Sequence, residues 1–258
     1  MSAKPLLQAR GLIKTFGALV ATNNLDLEVH AGEVHALIGP NGAGKSTLVA
    51  QLAGELAPNS GRILFDGADV TAADIPTRVA AGLVRSFQIT SIFPQFSALT
   101  NVAMAVQARA GHSFRFWKAA GTDPRLVDPA MALLDQVGLG GLADTPAGEM
   151  AYGEQRQLEI AMALATRPRL LLLDEPLAGM GREDALAIIE LLRGLRGTYT
   201  ILLIEHDMEA VFSLADTITV LVYGKAIATG RPDEIRANPE VQQAYLGEEA
   251  HPREVQHA

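Results

Sequence analysis

The sequence predicts an α/β fold built around a parallel sheet, and three observations carry that expectation. Short apolar runs at 34–38, 169–174, 200–205 and 217–223 alternate with longer stretches of helical periodicity, the pattern of strands buried on both faces and joined by crossover helices. A glycine-rich segment, Gly39 to Thr47, stands between the first of these runs and the helical stretch 48–53. Four leucines, 170–173, run straight into the paired carboxylates Asp174 and Glu175.

Taken in order, residues 6–16 and 24–29 alternate apolar and polar positions, as half-buried antiparallel strands do. They predict an N-terminal antiparallel β lobe. Residues 31–33 turn into the buried strand 34–38. After the helix that follows the glycine-rich segment, 58–61 is turn chemistry, and 62–67 reads as a strand closing on an Asp66-Gly67 turn. A helix is expected over 76–81 and a strand over 83–87. From 93 to 153 the periodicity turns helical, with an excursion at 111–128 that holds the single tryptophan, Trp117, and an amphipathic helix at 131–138. The expected organisation is one domain: a catalytic lobe of 1–92 and 158–258, an inserted helical lobe of 93–157, and a loose polar tail at 248–258.

A chain of 258 residues with 48% apolar residues can bury a sizeable core. The 21 lysines and arginines against 29 aspartates and glutamates leave a net charge of −8 with no dense basic cluster, which argues against a nucleic-acid face and against anionic lipid. The chain has no cysteine, so no disulfide framework exists, which suits a reducing compartment. Its first residues lack a signal-peptide core, and no apolar run approaches the ~20 residues that span a bilayer. A membrane role must therefore act through a protein partner.

The segment Gly39-Pro40-Asn41-Gly42-Ala43-Gly44-Lys45-Ser46-Thr47 fits the pattern G-x-x-x-x-G-K-[ST] between a strand and a helix. Glycines let successive N–H groups turn toward phosphate oxygens, and the helix that starts there adds the positive end of its dipole. Lys45 would reach the β- and γ-phosphates of ATP and Ser46 would ligate Mg2+. Asp174 would hold the same ion through water, and Glu175 would polarise the attacking water. Without the phosphate loop, the two carboxylates would read equally as a helix-capping pair.

With these motifs placed, the chain resembles the ATPases of ABC transporters over nearly its whole length. Gly39 to Thr47, Gln88, Tyr152-Gly153-Glu154-Gln155, Asp174-Glu175-Pro176 and Glu205-His206-Asp207 stand in that family's order. Residues 205–208, 220–235 and 244–248 look more narrowly like the ATP-binding subunits of branched-chain amino-acid importers, with urea-importer and lipopolysaccharide-exporter ATPases as close relatives. The resemblance implies a P-loop NTPase core with both appended lobes. Phe16 would stack on adenine, although a core phenylalanine on a strand fits that position as well. Gln88 would touch Mg2+ and water and link the nucleotide to the helical lobe, and His206 would contact the γ-phosphate.

The segment 150–154 occupies the signature position, where Tyr152, Gly153 and Glu154 at a helix start would cap ATP held by a second ATPase subunit. Ala151 stands where a serine is usual, and Gly181 where an aspartate or asparagine is. One lost hydroxyl bond to a charged phosphate costs about 1.5–3 kcal/mol, a ten- to hundredfold effect on the partner's site. The implied partners are that second ATPase, a copy or a homologue, two transmembrane permease subunits docking near 88–96, and indirectly a periplasmic binding protein. The implied place is the cytoplasmic face of the inner membrane, held through the permease. Two rival readings are a soluble ABC ATPase acting on DNA or ribosomes and a nucleotide-gated module that does not hydrolyse. Acidic charge and the lack of a coiled-coil insertion oppose the first, and Glu175 and His206 oppose the second.

Overall fold

The computed structural model describes residues 4–86, 92–109 and 123–249, with side chains described as far as 244. Gln88, Trp117, most of the excursion 111–128 and the tail beyond 249 lie outside the described residues.

Among the described residues, ten strands form two sheets. The first, of order β2-β1-β4-β5, is antiparallel and consists of β1 (Leu7–Phe16), β2 (Leu19–Val29), β4 (Ser60–Phe65) and β5 (Ala68–Asp69). The second, of order β10-β9-β3-β8-β7-β6, contains β3 (Val34–Ile38), β6 (Leu83–Arg85), β7 (Leu170–Asp174), β8 (Thr200–Ile204), β9 (Thr217–Val222) and β10 (Lys225–Gly230). Its strands are parallel except for the antiparallel edge strand β10.

Period-two alternation sorts β7 and β8 between two cores, while Ala36 and Ile38 of β3 and Ile218 and Val220 of β9 pack in a third. Leu171, Leu173, Ile201 and Leu203 point into one cluster, while Leu170, Leu172, Leu202 and Ile204 point into the other. The second cluster holds the inner face of the antiparallel sheet and α1 (Lys45–Ala53), with Leu48, Val49 and Leu52 buried. The first holds α3 (Ala98–Arg109), α4 (Pro124–Gln136), α5 (Tyr152–Ala165) and α6 (Arg182–Leu195). Short helices complete the chain: α2 (Ile75–Ala81), α7 (Met208–Leu214), α8 (Pro232–Ala237) and α9 (Pro239–Glu249). Among the described residues no helix is long and apolar enough to cross a membrane.

Several boundaries differ by one or two residues, and two differ by more. β2 starts at Leu19 rather than at 24, because the Phe16–Leu19 hairpin pairs the backbone through Thr22, and cross-strand hydrogen bonds do not require side-chain alternation. α4 starts at Pro124, inside the expected excursion. Asp123 caps it by accepting the Arg125 N–H, and proline suits the first helical position.

The far end of α1 is tied down by Arg78, whose buried guanidinium donates to the carbonyls of Gln51 (2.8 Å), Leu52 (2.6 Å), Thr71 (3.1 Å) and Ala73 (3.0 Å). A cation at a helix C-terminus satisfies carbonyls that lack helical partners and opposes the dipole.

Candidate functional site

β3, β8 and β7 lie side by side and parallel, with Leu37, Ile204 and Asp174 in one row of the ladder. The glycine-rich loop leaves β3, Glu205-His206 leaves β8 and Glu175 leaves β7. All three therefore emerge at one edge of the sheet, across two strand spacings of about 10 Å in total. This carboxyl edge is where open parallel sheets bind ligands.

The loop can be built only with glycine at two points. At Gly39 (φ +152°) a Cβ would lie 2.1 Å from the Leu221 carbonyl oxygen, and at Gly44 (φ +103°) one would lie 2.2 Å from that of Ala21. The turn after β9 buttresses the loop: Gly224 N–H donates to Ala43 O at 2.8 Å, and Asn23 N–H donates to Gly224 O at 2.9 Å. α1 begins on Gly44 with no side-chain cap and no acidic residue in its first turn. By contrast α2, α4 and α7 are capped by Asp74, Asp123 and Asp207. The positive end of α1 is thus kept clear of the protein's own carboxylates and can receive an external anion. Lys45 Nζ arches over the loop, donating to the carbonyls of Gly39 and of Pro40 (3.0 Å).

Glu175 adopts a left-handed backbone, φ +49°, which is uncommon outside glycine and marks stored strain. Its N–H is bound by Ile204 O (2.9 Å) and its carbonyl accepts from Ala178 N–H (3.1 Å). The carboxylate is one-third exposed and lies 3.8 Å from His206 Nδ1, on a ring 66% exposed. Both side chains face outward. Behind them Glu205 is buried, accepting the N–H of Leu177 (2.8 Å) and of His206 (3.1 Å). Burial pushes the Glu205 carboxyl above its ordinary range, and these amide bonds pull against that rise.

Asp174 is 2% exposed at its side chain and joins Arg85 Nη2 through Oδ2 at 2.8 Å. Arg85 also grips Glu55, just beyond α1. Of the residues expected to hold a metal, Ser46 and Asp174 are described and offer a hydroxyl and a carboxylate, while Gln88 lies outside the described residues. Among the described residues no three His, Cys, Asp or Glu side chains form a metal-holding cluster. Phosphate and water oxygens must complete any shell, and oxygen donors of this kind fit Mg2+.

The signature segment opens α5. Ala151 is its N-cap, with extended backbone, and Glu154 accepts the Ala151 N–H at 2.8 Å. Half of a capping box is present, but alanine has no oxygen to complete it. A Cβ at Gly153 would meet the Asp184 carboxyl carbon at 2.7 Å, so glycine here permits the close approach of α5 to α6. Tyr152 reaches the Ala178 carbonyl at 3.4 Å, which sets this segment beside the loop that follows Glu175. Phe16 is an exposed ring at the β1–β2 turn, with Lys14 Nζ 5.5 Å from its centroid, and β2 passes the phosphate loop at Ala21. Gln88 lies outside the described residues. Neither Arg85 nor Glu205 receives a role from the sequence alone. The acidic residue before His206 was the only sign of Glu205, and an arginine closing a buried strand was the only sign of Arg85.

The family model for the ABC transporter domain matches residues 22–178, more than half of the chain, and spans the phosphate loop, Asp174 and Glu175. The chain belongs to the ABC transporter family. A second model, for branched-chain amino acid ATP-binding cassette transporters, matches residues 227–251 of this ABC ATPase. Relatives include the high-affinity branched-chain amino acid transport ATP-binding protein BraF of Pseudomonas aeruginosa, 38% identical, and LivG of Escherichia coli, 39% identical. Each alignment covers 95% of this chain and 99% of the relative. The crystal structure of the ADP conformation of MJ1267, an ATP-binding cassette of an ABC transporter, superimposes with a TM-score of 0.84 at 29% identity. It covers 95% of this chain and 100% of that one. The expected α/β fold of an ABC ATPase is thereby borne out.

Proposed function

We propose that this ABC ATPase is the ATP-hydrolysing motor of an importer for branched-chain or related amino acids, working as a dimer of ATPase subunits beneath two permease subunits. The observation that carries the reading is the single row of ladder partners, Leu37, Ile204 and Asp174, which brings the phosphate loop, Glu175 and His206 to one edge. Backbone N–H groups of the loop 39–47, apart from Pro40, which has none, and Ala43, which bonds Pro40 O, hold the triphosphate together with Lys45, and Phe16 offers its ring to adenine. Ser46 and Asp174 would hold Mg2+, which when bound neutralises phosphate charge. Glu175 would accept a hydrogen bond from water and orient it toward the terminal phosphorus, taking up proton density as the new P–O bond forms and the bond from that phosphorus to the bridging oxygen breaks, releasing ADP. The His206 ring donates to the departing phosphoryl oxygens, while Glu205 fixes the backbone at both His206 and Leu177.

Tyr152, Gly153 and Glu154 present an uncapped helix start to the nucleotide of the second subunit. The permease is expected to dock near residues 88–96. At the described end of that segment, just before α3, Phe93 and Phe96 form an exposed aromatic pair with centroids 6.1 Å apart, pinned by the buried Asn101, which bonds Phe93 N–H (2.8 Å) and O (3.1 Å). An apolar cavity of about 300 Å3 lies between α2, α3, α5 and β6. Such docking holds the chain at the cytoplasmic membrane face. The test is leucine uptake by vesicles carrying the chain with its co-expressed permease, ATPase and binding-protein partners. ATP-driven uptake competed by isoleucine and valine supports the reading. Assembly and turnover without amino-acid uptake, stimulated instead by urea or lipopolysaccharide, would assign the motor to a sister system.

A further inference from the structure

We propose that Arg85 is a positioning residue that sets the Asp174 carboxylate toward the metal and ties it to the far end of α1, an inference that rests on reading the site as one for a Mg2+-nucleotide. Arg85 closes β6, the edge strand beside β7, with its backbone paired to Leu172, two residues before Asp174. Its side chain is 13% exposed. One guanidinium nitrogen, Nη2, binds Asp174 Oδ2 at 2.8 Å, and the other, Nη1, binds Glu55 Oε2. Glu55 follows the Gly54 cap of α1, the helix whose first residue is Lys45. One planar group thus bridges the carboxylate at the end of β7 and the helix that begins in the phosphate loop.

Among the described residues, the buried Nε of Arg85 has no hydrogen-bond partner, so both outer nitrogens carry the contacts of the guanidinium. Each of them holds a carboxylate. By taking Oδ2 at 2.8 Å, Arg85 fixes the orientation of the Asp174 carboxylate, so that its other oxygen would be the one to serve a metal. The planar guanidinium can span two carboxylates, which a lysine ammonium on a flexible stem cannot do with the same fixity. Arg85 also lines the apolar cavity beside α3 and α5, so the Arg85–Asp174 pair adjoins the helical elements.

The proposal is tested on the purified full chain in a Glu175→Gln background, where turnover is suppressed, by titrating a fluorescent ATP analogue with Mg2+ and again with EDTA. The ratio of the two affinities reports the metal's contribution. Asp174→Asn should lower that ratio and sets the scale. Arg85→Gln is expected to lower it by about tenfold, or to the Asp174→Asn value where that is the smaller fall, in line with the loss of a group that orients a metal ligand. The double variant should be no worse than Asp174→Asn alone. Arg85→Lys, which keeps the charge and the fold but not the bridge, should fall below the parent ratio as well, and it serves if Arg85→Gln does not fold. Equal loss of affinity with and without Mg2+, an unchanged ratio or a raised one would overturn the role given to Arg85. If Asp174→Asn itself leaves the ratio unchanged, the reading of Asp174 as a metal ligand fails, and this proposal fails with it.

Discussion

Adding one oxygen at Ala151 should stabilise the isolated chain and speed the assembled motor by two separable effects. Ala151 is the N-cap of α5, has the extended backbone that capping residues adopt, and is exposed, so a serine hydroxyl fits without displacing anything. Glu154 already accepts the Ala151 N–H at 2.8 Å. The hydroxyl oxygen introduced by Ala151→Ser would accept the N–H of Glu154 and complete the reciprocal pair. Restoring a cap in place of alanine contributes about 1 kcal/mol, within a range of about 0.5–2. For a chain of this size that raises the melting temperature by about 2–4 °C. Calorimetry on the isolated chain reads this effect without any nucleotide. In the assembled complex the same hydroxyl should also bond the partner subunit's nucleotide. If that bond limits turnover, the affected site gains about ten- to a hundredfold, as the about 1.5–3 kcal/mol of a charged hydrogen bond requires. An unchanged or lowered melting temperature would refute the capping geometry. A higher melting temperature with flat turnover would refute the role in catalysis and leave the cap intact.

Arg78→Met, which keeps the apolar stem but leaves the carbonyls of Gln51, Leu52, Thr71 and Ala73 without their donor, should cost about 2–4 kcal/mol in urea unfolding, whereas a loss under about 0.5 kcal/mol would show that water replaces the guanidinium. Acid should destabilise the fold partly through Glu33. Burial pushes its carboxyl up, but hydrogen bonds from His35, the His30 N–H and Thr217 outweigh that and leave it below the ordinary range. A depressed carboxyl contributes stability that is complete above its unfolded value and is lost as pH falls through the folded one. Melting temperature against pH should therefore drop less steeply on the acid side in Glu33→Gln than in the parent, and parallel curves would remove Glu33 from the account.

Much of this molecule is legible in the sequence because its strongest signals are local. The glycine-rich loop between an apolar run and a helix, and four leucines before two carboxylates, each encode one conformation through neighbouring residues alone. Period-two patterning then sorted β7 and β8 between the two cores. What escaped depends on residues far apart in the chain. Arg85 meets Asp174 across 89 positions, and Glu205 meets the Leu177 amide across 28, so neither pairing leaves a periodic trace. The start of β2 escaped for a different reason: cross-strand hydrogen bonds to β1 hold it, and Asn23 and Asn24 carry no strand signal. Ala151 was visible as a departure from the family pattern, but its place as the α5 cap, and hence its effect on stability, required the backbone.

Hydrolysis directed by Glu175 is the central claim, and phosphate release from MgATP by the assembled complex tests it most directly. Replacing Glu175 by glutamine removes the charge that polarises water and leaves shape and nucleotide contacts in place. The account predicts a fall in phosphate release of about a hundredfold or more, with ATP still bound. Release within twofold of the parent rate, with ATP bound equally well, would contradict it.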